Sequence, residues 1–330
     1  MTEPAATSPS RRRSGRLLTY ISAAALGVAV LFAFGRIAID GKIGGATGGH
    51  TYKDAYGLSK TDLANLSMKD LAAAAIERSS IAAIRDGAAR SDALSQVLFC
   101  GAHDWGLAGL PASAEAARPF CEAASAQGQT FATYYLGLYH LNGLGGFPRD
   151  AHAGVALIEQ AAAAGDAHAQ TELGGYYEYA SNGYPRDDAK ARALFKSAAE
   201  QGNQQAQFAA AWMCENGLGG AVDYPAALLL YRKLADADSP EGTRALGWMY
   251  YKGWATAQDV SKARQYFERA SELEDGQASF NLALMYENGE GGAKDISKAL
   301  KTYQKAQSQG FADAEEAVNR LTEERAPVKE

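Results

Sequence analysis

A net positive charge is what this 330-residue sequence lacks once its first 16 residues are passed. Arg11, Arg12, Arg13 and Arg16 stand there against Glu3 alone, so residues 17–330 carry a net charge of −9. A body that acidic repels phosphates and excludes a nucleic-acid partner. Histidine is scarce, and no pair of histidines brackets a glutamate at zinc-binding helical spacing. No Gly-rich phosphate loop follows a strand pattern, and no Gly-x-Ser-x-Gly elbow is present. Carboxylates are plentiful, yet nothing selects a pair for glycoside hydrolysis. The sequence therefore names no catalytic residue, no cofactor and no metal. A His103/His140 metal pair is a minor alternative without a third ligand, because His50, His152 and His168 fall elsewhere. Cysteine occurs three times, as Cys100, Cys121 and Cys214, enough for one disulfide.

Charge is missing altogether from Leu17 to Gly35, a 19-residue apolar run. As a helix it would be about 28 Å long, enough to cross a bilayer once. Arginines precede it and only scattered basic residues follow, so the positive-inside rule predicts a cytoplasmic N-terminus and a body across the membrane. The competing reading is a cleaved signal peptide, with small Ala33 and Gly35 before the cut and Arg36 directly after it. Either way the rest of the chain lies outside the cytoplasm. Residues 1–16 read as a disordered tail, and residues 36–58, with Gly41, Gly44, Gly45, Gly48 and Gly49, as a tether.

The remainder repeats. His103, His140, Tyr177, Cys214, Tyr250 and Tyr286 follow one another at 36 or 37 residues. Phe120, Ile158, Phe195, Tyr231, Phe267 and Tyr303 keep nearly the same step. Such a period means stacked supersecondary units sharing one elongated core. Each unit has a first helix with small, Leu, small and aromatic positions on one face, as in Ala132, Leu136, Gly137 and His140. A Gly-rich turn follows, then Asp150, Asp187, Asp223, Asp259 or Asp295 as the cap of a second helix. In the first unit Ala112 stands at the cap and Pro119 lies within the second helix. The prediction is an all-α solenoid of about six helix-turn-helix repeats over 93–311, preceded by one transmembrane helix. Residues 59–92 form an N-terminal helical cap, starting from Ser59 or Thr61 and from Ser67. Residues 312–330 form a capping helix and tail. The core slots absorb His103, His140 and Cys214.

Leu246-Gly247-Trp248-Met249-Tyr250-Tyr251-Lys252-Gly253 and the run Asp295 to Gly310 resemble the Sel1-like repeat, a tetratricopeptide-type helical solenoid. The resemblance covers about two thirds of the chain. It implies a non-catalytic scaffold in a bacterial envelope, working in polysaccharide export, signalling or secretion. Some cysteine-rich relatives have been described as β-lactamases, but no Ser-x-x-Lys set is present here.

Cys100 replaces a small residue of the first helix and Cys121 a polar one of the second, so they are either bridged or two unpaired thiols. On the first helices a further face remains: Tyr135 and Leu138; Glu172, Gly175 and Tyr179; Trp212 and Asn216; Trp248 and Lys252; Asn281, Leu284 and Asn288. It is a candidate groove for a protein partner of the cell envelope, or for a glycan held by aromatic faces and amides. The alternative is that Trp212 and Trp248 pack between repeats. Trp254, in a turn, is either a surface contact or a packed loop tip.

Overall fold

A computed structural model describes residues 56–325 of the chain. The tail, the apolar run at 17–35, most of the tether and residues 326–330 lie outside the described residues. Three helices come first: α1 (Lys60–Asn65), α2 (Met68–Arg78) and α3 (Ile81–Ala89). Six hairpins follow. They are α4 (Ala93–Asp104) with α5 (Ala114–Ala126), α6 (Thr130–Asn142) with α7 (Ala151–Ala163), and α8 (Ala167–Tyr179) with α9 (Asp188–Glu200). The others are α10 (Gln204–Asn216) with α11 (Tyr224–Asp236), α12 (Pro240–Lys252) with α13 (Val260–Glu272), and α14 (Gly276–Asn288) with α15 (Ile296–Ser308). α16 (Ala314–Arg325) closes the array against α15. Among the described residues there is no strand.

Every helix from α5 to α15 has 13 residues, so each spans about 20 Å at ~1.5 Å per residue. Chemistry at both ends fixes that length. Asp150, Asp187, Asp223, Asp259 and Asp295 accept the N–H three residues on and start the second helices. The first helices end on left-handed Gly143, Gly217, Gly253 and Gly289, with Ala180 doing the same in the third unit. One backbone bond then pulls each hairpin shut, from the cap residue's N–H to the carbonyl of His140, Tyr177, Cys214, Tyr250 or Tyr286.

In the first unit that bond runs from Ser113 to the His103 carbonyl, and Ser113 caps α5. The sequence register that put Ala112 at the cap is one residue out. Counting eight residues from Ser113 puts Cys121, not Phe120, in the slot of Ile158 and Phe195. Cys121 is buried, while Phe120 packs beside it on His103 and Phe99. α5 continues through Pro119.

The two helices of a unit meet where a small residue faces a large one. A Cβ on Gly137 would lie 2.8 Å from Ile158, one on Gly174 2.8 Å from Phe195, and one on Gly247 3.0 Å from Phe267. Cys100 stands in this glycine slot, opposite Cys121, and the two form a disulfide with a Cα separation of 5.4 Å. Cys121 thus replaces a core residue rather than a polar one. A covalent bond takes the place that a glycine-on-ring contact fills elsewhere.

The hairpins also alternate in pairs. Arg118, Arg192 and Arg264, from the first, third and fifth units, reach the next unit's turn and donate to the carbonyls of Gly145, of Leu218 and Ala221, and of Glu290. The turns they hold read Asn-Gly-x-Gly-Gly, at 142–146, 216–220 and 288–292. A Cβ on Gly219 or Gly291 would overlap the carbonyl oxygen of Asp188 or Val260, so the second glycine permits this close approach. In the intervening units the arginine slot holds Val155, Leu228 and Leu300.

The N-terminal part is not only a local cap. Packing begins ahead of Ser59, since Tyr56 and Leu58 are buried within the first cluster of the core. α2 and α3 pack on α4, as a cap would, but α1 runs across the array to the third and fourth units.

Candidate binding face

On each first helix, positions three or four apart share a side. On α6 these are Phe131, Tyr135, Leu138 and Asn142; on α8 they are His168, Glu172, Gly175 and Tyr179. The line continues through Trp212 and Asn216 on α10, Trp248 and Lys252 on α12, and Asn281, Leu284 and Asn288 on α14. Most of these residues are half-buried, with Tyr179 65% exposed and Asn216 and Asn288 open to solvent. Trp212 leans on the Phe195 cluster. Trp248 stands edge-on to Phe267 at 5.3 Å and to Tyr251 at 5.2 Å. Each tryptophan is therefore seated in the core by one side while the other remains at the surface. The Lys252 ammonium lies 5.7 Å from the Trp248 ring and 5.5 Å from Tyr251, within cation–π reach.

Some members of the stripe are committed elsewhere. Asn216 donates its amide to the Trp212 carbonyl, as Asn142 does to Leu138, so these amides finish their own helices. Leu138 packs on the Ile158 cluster. The Asn281 amide nitrogen is buried with no hydrogen-bond partner among the described residues. A Cβ on Gly175 would meet nothing within 4 Å, so it marks open space on the face. Burial raises the Glu172 carboxyl. Trp254 stacks on Tyr224 at 5.1 Å and is a packed loop tip.

Two groups of residues on this face escaped the sequence reading. Trp105, 49% exposed, donates its indole N–H to the Tyr135 hydroxyl at 3.2 Å and carries the Lys69 ammonium 5.3 Å above its ring. Its place, six residues after Phe99, is that of Asn142 and Tyr179, and counting the slot back by one unit finds it. Asp104 beside it is held up by burial, against the Tyr139 and Tyr135 hydroxyls. The second group surrounds His168, which packs at a tilt on Phe131 at 4.8 Å, stacks on Tyr134 at 6.1 Å and donates to the Leu63 carbonyl of α1. No local sequence signal connects residues so far apart.

Of the other histidines, His103 packs between Phe99 and Phe120, and His140 lies on Phe147 at 4.0 Å. Among the described residues no three histidine, cysteine or carboxylate groups gather as metal ligands. Cys214 is buried with a free thiol, to which Arg192 donates at 3.1 Å.

The geometry of hairpins built from capped 13-residue helices agrees with the family comparison, in which the Sel1 repeat matches residues 130–166, 167–203, 204–239, 240–275 and 276–311, over half of the chain. The chain belongs to the Sel1 repeat family. The matched windows leave out the first hairpin, where the disulfide replaces the usual packing. Among solved structures, the Sel1 chain is similar to c5321, a protective antigen of uropathogenic Escherichia coli strains with an SLR fold. Identity is 26% and the TM-score 0.64, over 79% of this chain and 53% of that one. The chain thus spans about half the length of that protein. It is also similar to a Sel1 repeat protein from Oxalobacter formigenes, at 26% identity and a TM-score of 0.60, covering 68% and 86% of the two chains. No curated protein matches the chain significantly. A Sel1 solenoid of this form is compatible with a protein-interaction scaffold. Among the described residues, no helix is long and apolar enough to cross a membrane.

Proposed function

We propose that this chain is a non-catalytic docking scaffold, anchored in the inner membrane by residues 17–35 with its Sel1 repeats in the periplasm. There the first-helix face binds a protein partner and organises or regulates an envelope complex of polysaccharide export, signalling or secretion. The observation that carries the reading is the face repeated on successive first helices from Trp105 to Asn288. Tyr135, Trp212 and Trp248 are packed on the core by one side and accessible on the other, the arrangement from which interface anchors draw their energy. The Cys100–Cys121 bridge supports the compartment, because such bridges persist where thiols are not kept reduced. The exposed Trp105 ring beside Tyr135 and Asp104 favours a second reading, a glycan stacked on that end of the face.

The test is crosslinking of the full chain in intact membranes, followed by purification. Trp212→Ala and Trp248→Ala should each reduce partner recovery roughly tenfold, the scale of an anchor contributing about 1.4 kcal/mol. Unchanged recovery in both would sink the protein-docking reading. Retention on peptidoglycan that depends on Trp105 would favour the glycan instead. The mass of the mature chain belongs to the same experiment, since a protein starting at Arg36 would overturn the anchor.

A further inference from the structure

α1 is the element that the repeat does not account for. Six residues are too few to hold a helix in water, so docking must stabilise it. Ser59 and Asp62 form a capping box at its start, and Arg78 from α2 holds Asp62 at 3.1 Å. At its end the carbonyls have no partner within the helix. Two of them are received by side chains more than 100 residues away: His168 Nε2 donates to Leu63 at 3.1 Å, and Asn203 Nδ2 donates to Ala64 at 2.7 Å. Asn65 completes the contact, donating to the Gly202 carbonyl at 2.9 Å and accepting the Gln204 N–H at 2.7 Å. Ala64 is buried in a cluster with Ala167, Ala198, Ala199 and Ala206.

Asn203 also caps α10, its Oδ1 accepting the Ala206 N–H at 2.9 Å. In the equivalent slot Asp166 caps α8 and Asp275 caps α14. A carboxylate caps a helix as well as an amide does, but it cannot donate to a carbonyl. The amide at 203 therefore serves both helices, and only its bond to α1 needs the N–H donor. His168 begins the line His168, Glu172, Gly175, Tyr179, so α1 covers the amino end of the binding face on α8.

We propose that the amino ends of α8 and α10 form a receptor for the carboxyl end of a short helix, which the chain fills with its own α1. Release of α1 admits a partner helix of the same kind, with a small residue just before its last position and carbonyls free to accept from His168 and Asn203. This last step rests on the docking-face reading, whereas the receptor itself does not. The receptor holds α1 through one alanine and four hydrogen bonds, with Leu63 and Leu66 partly buried on the neighbouring core cluster, and contact of that size places α1 among the segments that open below the global unfolding free energy.

Two full-length variants separate the parts. Ala64→Arg expels α1 and leaves the receptor intact; Asn203→Asp keeps the α10 cap and removes the donor. Both should speed amide exchange at Leu63 to Leu66 at least tenfold while α12 to α15 keep their protection. A fluorescent peptide of residues 57–66 should bind Ala64→Arg at least tenfold more tightly than either the native chain or the Ala64→Arg/Asn203→Asp double variant. Unchanged exchange at α1 in both variants would overturn the proposal, and so would equal peptide binding by Ala64→Arg and the double variant. Neither readout uses an envelope partner. Their failure leaves the docking face standing, just as unchanged recovery with Trp248→Ala leaves the receptor standing.

Discussion

At the scale of single residues, the cysteine pair and His168 make the most of their positions. Removing the bridge with Cys100→Ala/Cys121→Ala should cost about 3 kcal/mol, read as a fall in the urea midpoint. Cys100→Gly/Cys121→Phe rebuilds the contact that Gly174 and Phe195 make, and should recover a good part of the loss. Equal midpoints for the two double variants would mean that the first unit does not share the packing of the others. For His168, burial lowers the ring's pKa, with Asp166 and the Leu63 carbonyl pulling the other way. The unfolded chain then binds the proton more readily than the folded one. The ring's contribution to folding stability should be full above about pH 6.5 and weaken as pH falls below it. The urea midpoint should fall between pH 7 and pH 5.5. In His168→Gln that fall should be smaller.

At the scale of elements, the arginines and glycine turns determine how successive hairpins join. Arg192 is buried and makes two carbonyl bonds to the turn after α10, so Arg192→Leu should cost about 2 kcal/mol. Exchange at residues 217–223 should quicken, and a thermal melt gives the global loss. Gly219→Ala should cost more than about 1 kcal/mol, since its φ of +69° and the Asp188 carbonyl both oppose a side chain. Helix caps were legible in the sequence because an aspartate before an alanine-rich run acts locally. The pairing of units was equally present, in arginines 74 and 72 residues apart, but aligning every unit to a single template hides a period of two. The first unit's register was lost for another reason. Phe120 is aromatic where Cys121 is not, and residue type outweighed the 18-residue spacing from His103 that units two and three also keep. α1 was found as a helix, but its destination was not, because its receptor is built from residues 105 to 139 positions away.

At the scale of the whole molecule, each unit is stabilised by its neighbours, so damage should spread from the end where it occurs. Reducing the disulfide in the intact chain should first expose amides of α4 and α5, while α12 to α15, in the C-terminal cluster, keep theirs. Simultaneous loss at both ends would mean that the array unfolds as one block. The alternation of units also limits how such a molecule changes length. Removing the third or fifth hairpin sets Val155 or Leu228 against an Asn-Gly-x-Gly-Gly turn that expects a guanidinium, and removing the second or fourth leaves Arg118 or Arg192 against a turn of another sequence, whereas removing two consecutive hairpins returns an arginine to every such turn. Insertions and deletions that survive should therefore come in steps of 72 to 74 residues, and the protein counts its length in twos.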